Sequence, residues 1–189
     1  KIIKLVDSFV IEAEVDPEAY ILGPGDKIGL SIITSDNIAY ILNITPTGDL
    51  WIPDVGLVHI SGMNIEKAQS EVARYIQENR YKAANILLVL LNIRHFKVQI
   101  MGAVMTPDMV IASSLDRLSD VIKKSGGLHK LANEDLIMIS RKNHEDIKCS
   151  LRLYRLDGNL INNPVIQEGD VIFVPYIENY RLDVEESLT

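Results

Sequence analysis

The sequence predicts an α+β protein built as two small domains, each with short strands and one main helix. Three observations predict it. A glycine–aspartate punctuation recurs at Gly23-Pro24-Gly25-Asp26, Gly48-Asp49 and Gly169-Asp170, each time ahead of a short apolar run. Each half of the chain holds one stretch with helical periodicity. Strands and helices do not alternate regularly, so a doubly wound parallel sheet is not expected.

Taken in order, residues 1–16 read as an N-terminal arm ending at Asp16-Pro17. The first domain, 17–94, opens on a turn in which Pro24 fixes one φ, Gly23 and Gly25 have access to positive φ, and Asp26 is placed to accept from backbone N–H groups. Strands are expected at Ile28–Ile33 and Ile38–Ile44 around the loop Thr34-Ser35-Asp36-Asn37, then at Leu50–Ile52 and Val55–His59 around Pro53-Asp54. A helix follows, capped by Asn64, with Ile65, Ala68, Val72, Tyr75 and Ile76 on one face. The run Asn85–Ile93 is continuously apolar, the pattern of a strand buried on both faces.

The second domain, 95–177, begins with alternating Phe96, Val98 and Ile100. Gly102 to Asp108, with Pro107, turns the chain into a strand at Met109–Ile111. Ser113 and Asp116 have capping-box spacing, which predicts a helix with Leu115, Leu118, Val121 and Ile122 as its stripe, stopped by Gly126-Gly127. Strands are then expected at Asp135–Arg141, Asp146–Leu153 and Val171–Val174, the last ending at Pro175. Residues 178–189 form a C-terminal tail.

The 189 residues are 47% hydrophobic, which excludes a disordered chain, and carry a net charge of −7. The acidity is spread, with 8 Lys and Arg against 12 Asp and Glu in 1–94 and 11 against 14 in 95–189, so nucleic acid is a poor partner. The single cysteine, Cys149, excludes an intrachain disulfide and reads as an inward-facing strand residue. No apolar run is long enough to span a bilayer. The chain starts at Lys1 rather than methionine, as a processed form or a fragment would.

Catalytic and metal patterns are not found. His59, His95, His129 and His144 are scattered without ligand spacing, and there is no nucleophile elbow, P-loop or dinucleotide fingerprint. No cofactor and no enzymatic activity are expected, since a glycan hydrolase needs two facing carboxylates and the sequence nominates none. Trp51, between Leu50 and Ile52, is expected to pack under a turn or at an interface; stacking on a sugar ring is the alternative.

The order of these pieces resembles a known family. Leu22-Gly23-Pro24-Gly25-Asp26-x-Ile28, Thr47-Gly48-Asp49-Leu50-Trp51-Ile52-Pro53-Asp54-Val55-Gly56 and Gly62-Met63-Asn64-Ile65-Glu66 resemble the polysaccharide-export domain of bacterial capsule and exopolysaccharide translocons of the Wza type. Val98-x-Ile100-x-Gly102-x-Val104-x-x-Pro107, the helix ending Ser125-Gly126-Gly127, and Gln167-Glu168-Gly169-Asp170-Val171-Ile172-Phe173-Val174-Pro175 resemble the SLBB module, which is β-grasp-like. One departure is Asp108, where relatives often have glycine, so that turn must avoid positive φ or accept strain.

The resemblance implies a periplasmic, outer-membrane-associated subunit that forms a homo-oligomeric ring and guides polysaccharide outward. It implies an inner-membrane polysaccharide copolymerase, often paired with a tyrosine kinase, as partner. The family's lipid-bearing cysteine is not found in this sequence, and Asn179–Thr189 is too short for the family's C-terminal pore helix, so attachment to the outer membrane is expected through a segment absent here. The alternative from another class is an SLBB-type module that holds a soluble ligand or glycan between Met101 and Gly127 without transporting it. Few aromatics (Phe96, Tyr154, Phe173, Tyr176) are at hand there to wall a pocket.

Overall fold

The computed structural model describes residues 15–35, 37–142 and 144–177. The arm and tail read at 1–16 and 178–189 therefore lie outside the described residues, apart from 15 and 16. The chain divides into two compact units, Lys1–Ile93 and Arg94–Thr189.

In the first unit, β1 (Lys27–Ile33) is the middle of an antiparallel sheet between β2 (Asn37–Asn43) and β5 (Asn85–Asn92). The hairpin β3 (Asp49–Ile52) and β4 (Gly56–His59) stands as its own two-stranded sheet. Helix α1 (Ile65–Asn79) is capped by Asn64, whose Oδ1 accepts from the Lys67 N–H at 2.9 Å, and buries Ala68, Val72 and Ile76. These meet Ile28, Leu30 and Ile32 of β1 and Leu50 and Ile52 of β3 in one core.

Burial in β5 corrects the sequence reading. Ile86 and Leu88 face the core, but Leu87 and Val89 are exposed on the opposite face of an edge strand. A continuous apolar run does not report whether a second layer covers it; here, among the described residues of this unit, none does.

The second unit has strand order β7-β6-β10-β8-β9, formed by β6 (His95–Gly102), β7 (Asp108–Ser113), β8 (Ile137–Ser140), β9 (Ile147–Cys149) and β10 (Val171–Val174). β6 and β10 are parallel at its centre and every other pairing is antiparallel. Counted within the unit, this is order 2-1-5-3-4 with α2 (Leu118–Lys124) between the second and third strands, the β-grasp arrangement. Val98, Ile100, Leu118, Val121, Ile139 and Ile172 are central to its core.

Two expectations fail here. The helix begins at Leu118, not after Ser113. Arg117 is its N-cap, and Asp120 Oδ2 accepts from the Arg117 N–H at 2.9 Å. The Ser113–Asp116 spacing instead builds a turn, with the Asp116 carboxylate accepting from the Ser113 N–H at 2.6 Å, and Leu115 is left at the surface. The predicted strand Asp146–Leu153 stops at Cys149 and gives way to a second helix, α3 (Leu151–Asp157). Ser150 Oγ caps it by accepting from the Leu153 N–H at 3.1 Å, and Gly158 closes it in the left-handed region. The unit thus has two seven-residue helices rather than one main helix.

Candidate functional site

The motif residues lie in turns that shape the ends of strands. In Gly23–Asp26, the Asp26 N–H donates to the Gly23 carbonyl at 3.1 Å, and the Asp26 carboxylate accepts from the Gly23 N–H at 2.8 Å. Gly25 has φ +93°; Gly23 keeps negative φ, so only one of the two glycines uses the freedom predicted for both. Asp26 is fully buried and also accepts from the Tyr20 hydroxyl at 2.8 Å. Pro24 is half-buried between the two glycines.

Gln167–Asp170 repeats the geometry ahead of β10. The Asp170 N–H donates to the Gln167 carbonyl at 3.1 Å, Gly169 has φ +85°, and the buried carboxylate accepts from the Gln167 N–H at 2.8 Å. Arg141 closes on it with Nε at 2.9 Å and Nη2 at 2.8 Å, a bidentate pair that raises the already high pKa of the guanidinium.

The third punctuation is not the same device. Asp49 turns its side chain to the Thr47 hydroxyl at 2.6 Å and to His59 Nδ1 at 2.9 Å, not to the N–H that opens the turn. Those partners, Thr47 first, hold its carboxyl below the usual range. Gly48 carries φ +88°, and Pro53 and Asp54 form the tip of the β3–β4 hairpin, where Asp54 sits in the left-handed region at φ 61°.

Around β10 the packing is tighter. Gly102, at the end of β6, has φ +86°, and a Cβ there would lie 2.0 Å from the Val174 carbonyl oxygen. Pro107 is exposed in the following turn, and Asp108 keeps negative φ, so the turn avoids the strain its sequence raised. Gly126 and Gly127 end α2 with positive φ, the Gly127 N–H donating to the Ile122 carbonyl at 2.9 Å. The Pro175 carbonyl accepts from the Asn133 N–H at 2.8 Å. Gly127 also lines a shallow cleft between α2 and α3.

Trp51 does not pack under a turn. It points outward from β3, 63% exposed, directly opposite Leu57, itself 56% exposed. Strand alternation decides this, because Leu50 and Ile52 take the two inward positions. An exposed indole beside an exposed leucine is a contact surface with no occupant among the described residues of its unit.

Among the described residues no cluster of three or more His, Cys, Asp or Glu could hold a metal ion. Glu134 is ion-paired with Arg155. Asp135 accepts from Arg152 Nε and from Ser150 Oγ, which keep its carboxyl low. Cys149 is buried in β9, and burial pushes its thiol up to about 11. No described helix is long and apolar enough to cross a membrane.

Residues 14–90 match the family profile described as Polysaccharide biosynthesis/export protein. Over that stretch the chain is similar to the polysaccharide export family. Two sequences of the Polysialic acid transport protein KpsD from Escherichia coli are similar to it, at 27% and 26% identity over 156 residues. Each comparison covers 82% of this chain and 28% of the relative, so the chain spans little more than a quarter of their length. The family match falls on the first unit and takes in the Gly23–Asp26 turn, Gly48, Pro53, Trp51 and α1. The β-grasp unit lies beyond it.

Proposed function

We propose that this chain is the periplasmic portion of a ring-forming subunit of a capsule or exopolysaccharide export translocon, guiding polysaccharide to the outer membrane. The observation that carries the reading is the export-family match over the first unit, extended by the similarity to polysialic acid transport proteins over most of the chain.

The physics is compatible with it. Passage of a long glycan calls for weak, repeated contacts rather than one tight site. Closed head-to-tail contacts between identical subunits supply a lumen. Exposed Trp51, Leu57, Leu87 and Val89, together with the open edges of β2 and β5, are surfaces a neighbouring copy would cover. In this reading the partners are the polysaccharide, further copies of the chain and an inner-membrane copolymerase with its tyrosine kinase. Trp51 lies on the glycan path or at the subunit contact.

Light scattering on the full-length protein tests the assembly. A ring mass is expected, and a strict monomer at high concentration overturns it. Export of capsule in cells lacking the protein, restored by the natural chain and not by one missing residues 17–94, tests the transport role.

A further inference from the structure

The three-stranded sheet of the first unit divides its residue types unevenly. Its middle strand, β1, alternates: Ile28, Leu30 and Ile32 are buried, while Gly29 and Ser31 face the other way. That is the pattern of an antiparallel strand with one dry face. The two outer strands do not alternate. β2 holds Ile38-Ala39-Tyr40-Ile41-Leu42 and β5 holds Ile86-Leu87-Leu88-Val89-Leu90-Leu91, so each is apolar on both faces. Near-continuous apolar runs are the composition of strands that lie parallel in a sheet. Among the described residues of the unit, neither strand has a parallel neighbour.

Both strands are open on their free sides. Each pairs with β1 alone, and the bridge Ile44–Leu50 lies just past the end of β2. Ile38, Tyr40 and Leu42 of β2 and Leu90 of β5 face the core but stay half-buried at its rim. Each free side also presents backbone N–H and C=O groups that a further strand can satisfy.

Direction decides which strand that is. β2 and β5 each run antiparallel to β1, so they run parallel to one another. A second copy related by the modest rotation of a many-membered ring keeps its strands in nearly the same sense. Its β2 then meets β5 of the first copy as a parallel pair, the pairing for which both runs are composed. A two-fold dimer instead pairs β5 with β5 antiparallel and leaves both β2 edges open.

We propose that neighbouring copies join by parallel pairing of β2 with β5, so that one sheet runs on from copy to copy with three strands from each. The joint rests on the ring reading, and it names the two edges that meet and their direction. Ile41 and Val89 both lie opposite Gly29, so an unstaggered joint sets them side by side on the outer face. The core faces run on as well, with Ile38, Tyr40 and Leu42 of one copy beside Ile86, Leu88 and Leu90 of the next.

Cysteine cross-linking of the full-length protein tests the joint. Within one copy Ile41 and Val89 are two strand spacings apart, about 10 Å, beyond the roughly 7 Å that a disulfide can bridge. A chain with both Ile41→Cys and Val89→Cys is therefore expected to form a covalent ladder of copies under mild oxidation, seen on a non-reducing gel. Each single-cysteine variant is expected to stay unlinked, since Cys149 is buried. Charge supplies a second measurement. Ile41→Lys and Val89→Glu, both at exposed side chains, are each expected to raise the concentration of half-assembly about tenfold, and together to raise it about twofold at most. A ladder from Val89→Cys alone reports a two-fold contact and overturns the proposal. So do charge variants that weaken assembly as much together as singly. Light scattering separates the two readings: a ring whose double-cysteine variant forms no ladder defeats the joint alone, and a ladder from an open filament defeats the ring alone. A strict monomer defeats both.

Discussion

Gly23–Asp26 and Gln167–Asp170 are one turn used twice, once in each unit, with different company for the aspartate. In the first unit the buried carboxylate takes the Tyr20 hydroxyl, six residues upstream; in the second it takes the Arg141 guanidinium, twenty-nine residues upstream. The backbone half of each turn follows from four adjacent residues. The side-chain half is set by the fold, and Arg141 reaches Asp170 only because β8 and β10 are neighbours. Arg141 also donates to the Val165 carbonyl at 3.2 Å, so the second turn ties together three segments.

Breaking the frame around β10 should have the largest effect. Gly102→Ala places a methyl against the Val174 carbonyl at a positive φ, and is expected to cost about 4 kcal/mol or to leave the second unit unfolded, checked by denaturant unfolding and amide NMR. Asp170→Ala strands a mostly buried guanidinium and is expected to cost about 3 kcal/mol. Asp26→Asn keeps an acceptor for Gly23 and is expected to cost about 1 kcal/mol. Equal losses from the two aspartate variants would mean that the ion pair adds nothing beyond the turn.

A pH profile sharpens the contrast, because the buried thiol lies only in the second unit. In the unfolded chain Cys149 ionises near its ordinary value of 9.0, while the folded chain keeps the proton to about 11. Between those values the unfolded state binds fewer protons, so stability falls as pH rises. The natural chain is expected to lose on the order of 2 kcal/mol more than Cys149→Ala across this window, followed by urea midpoints at each pH. Gly25→Val forces a β-branched residue to φ +93° and is expected to cost more than about 1 kcal/mol in the first unit alone. An unchanged melting temperature would show that the turn relaxes to accept it.

What could be read from the sequence was local. The turns, the Asn64 cap and the alternation of β6 depend on residues within a few positions of one another. α3 was missed because Leu151-Arg152-Leu153 alternates like a strand, although Ser150 and Gly158 bracket a helix of the right length and only Leu151 is buried. The outward face of β5 was misread because apolar residues do not announce whether another layer lies above them. Of the two places expected for Trp51, under a turn or at an interface, its exposure rules out the first. The cleft between α2 and α3 had no signal at all, since it depends on a helix that the alternation disguised.

The bare rim of β5 carries a practical consequence. Its outer edge has asparagine at each end and six aliphatic residues between, with no lysine or proline to ward off another strand. The folded chain in solution is therefore expected to associate through that border. Dilution, rather than cooling, should keep such preparations clear, and a single lysine at Leu87 should extend their storage life.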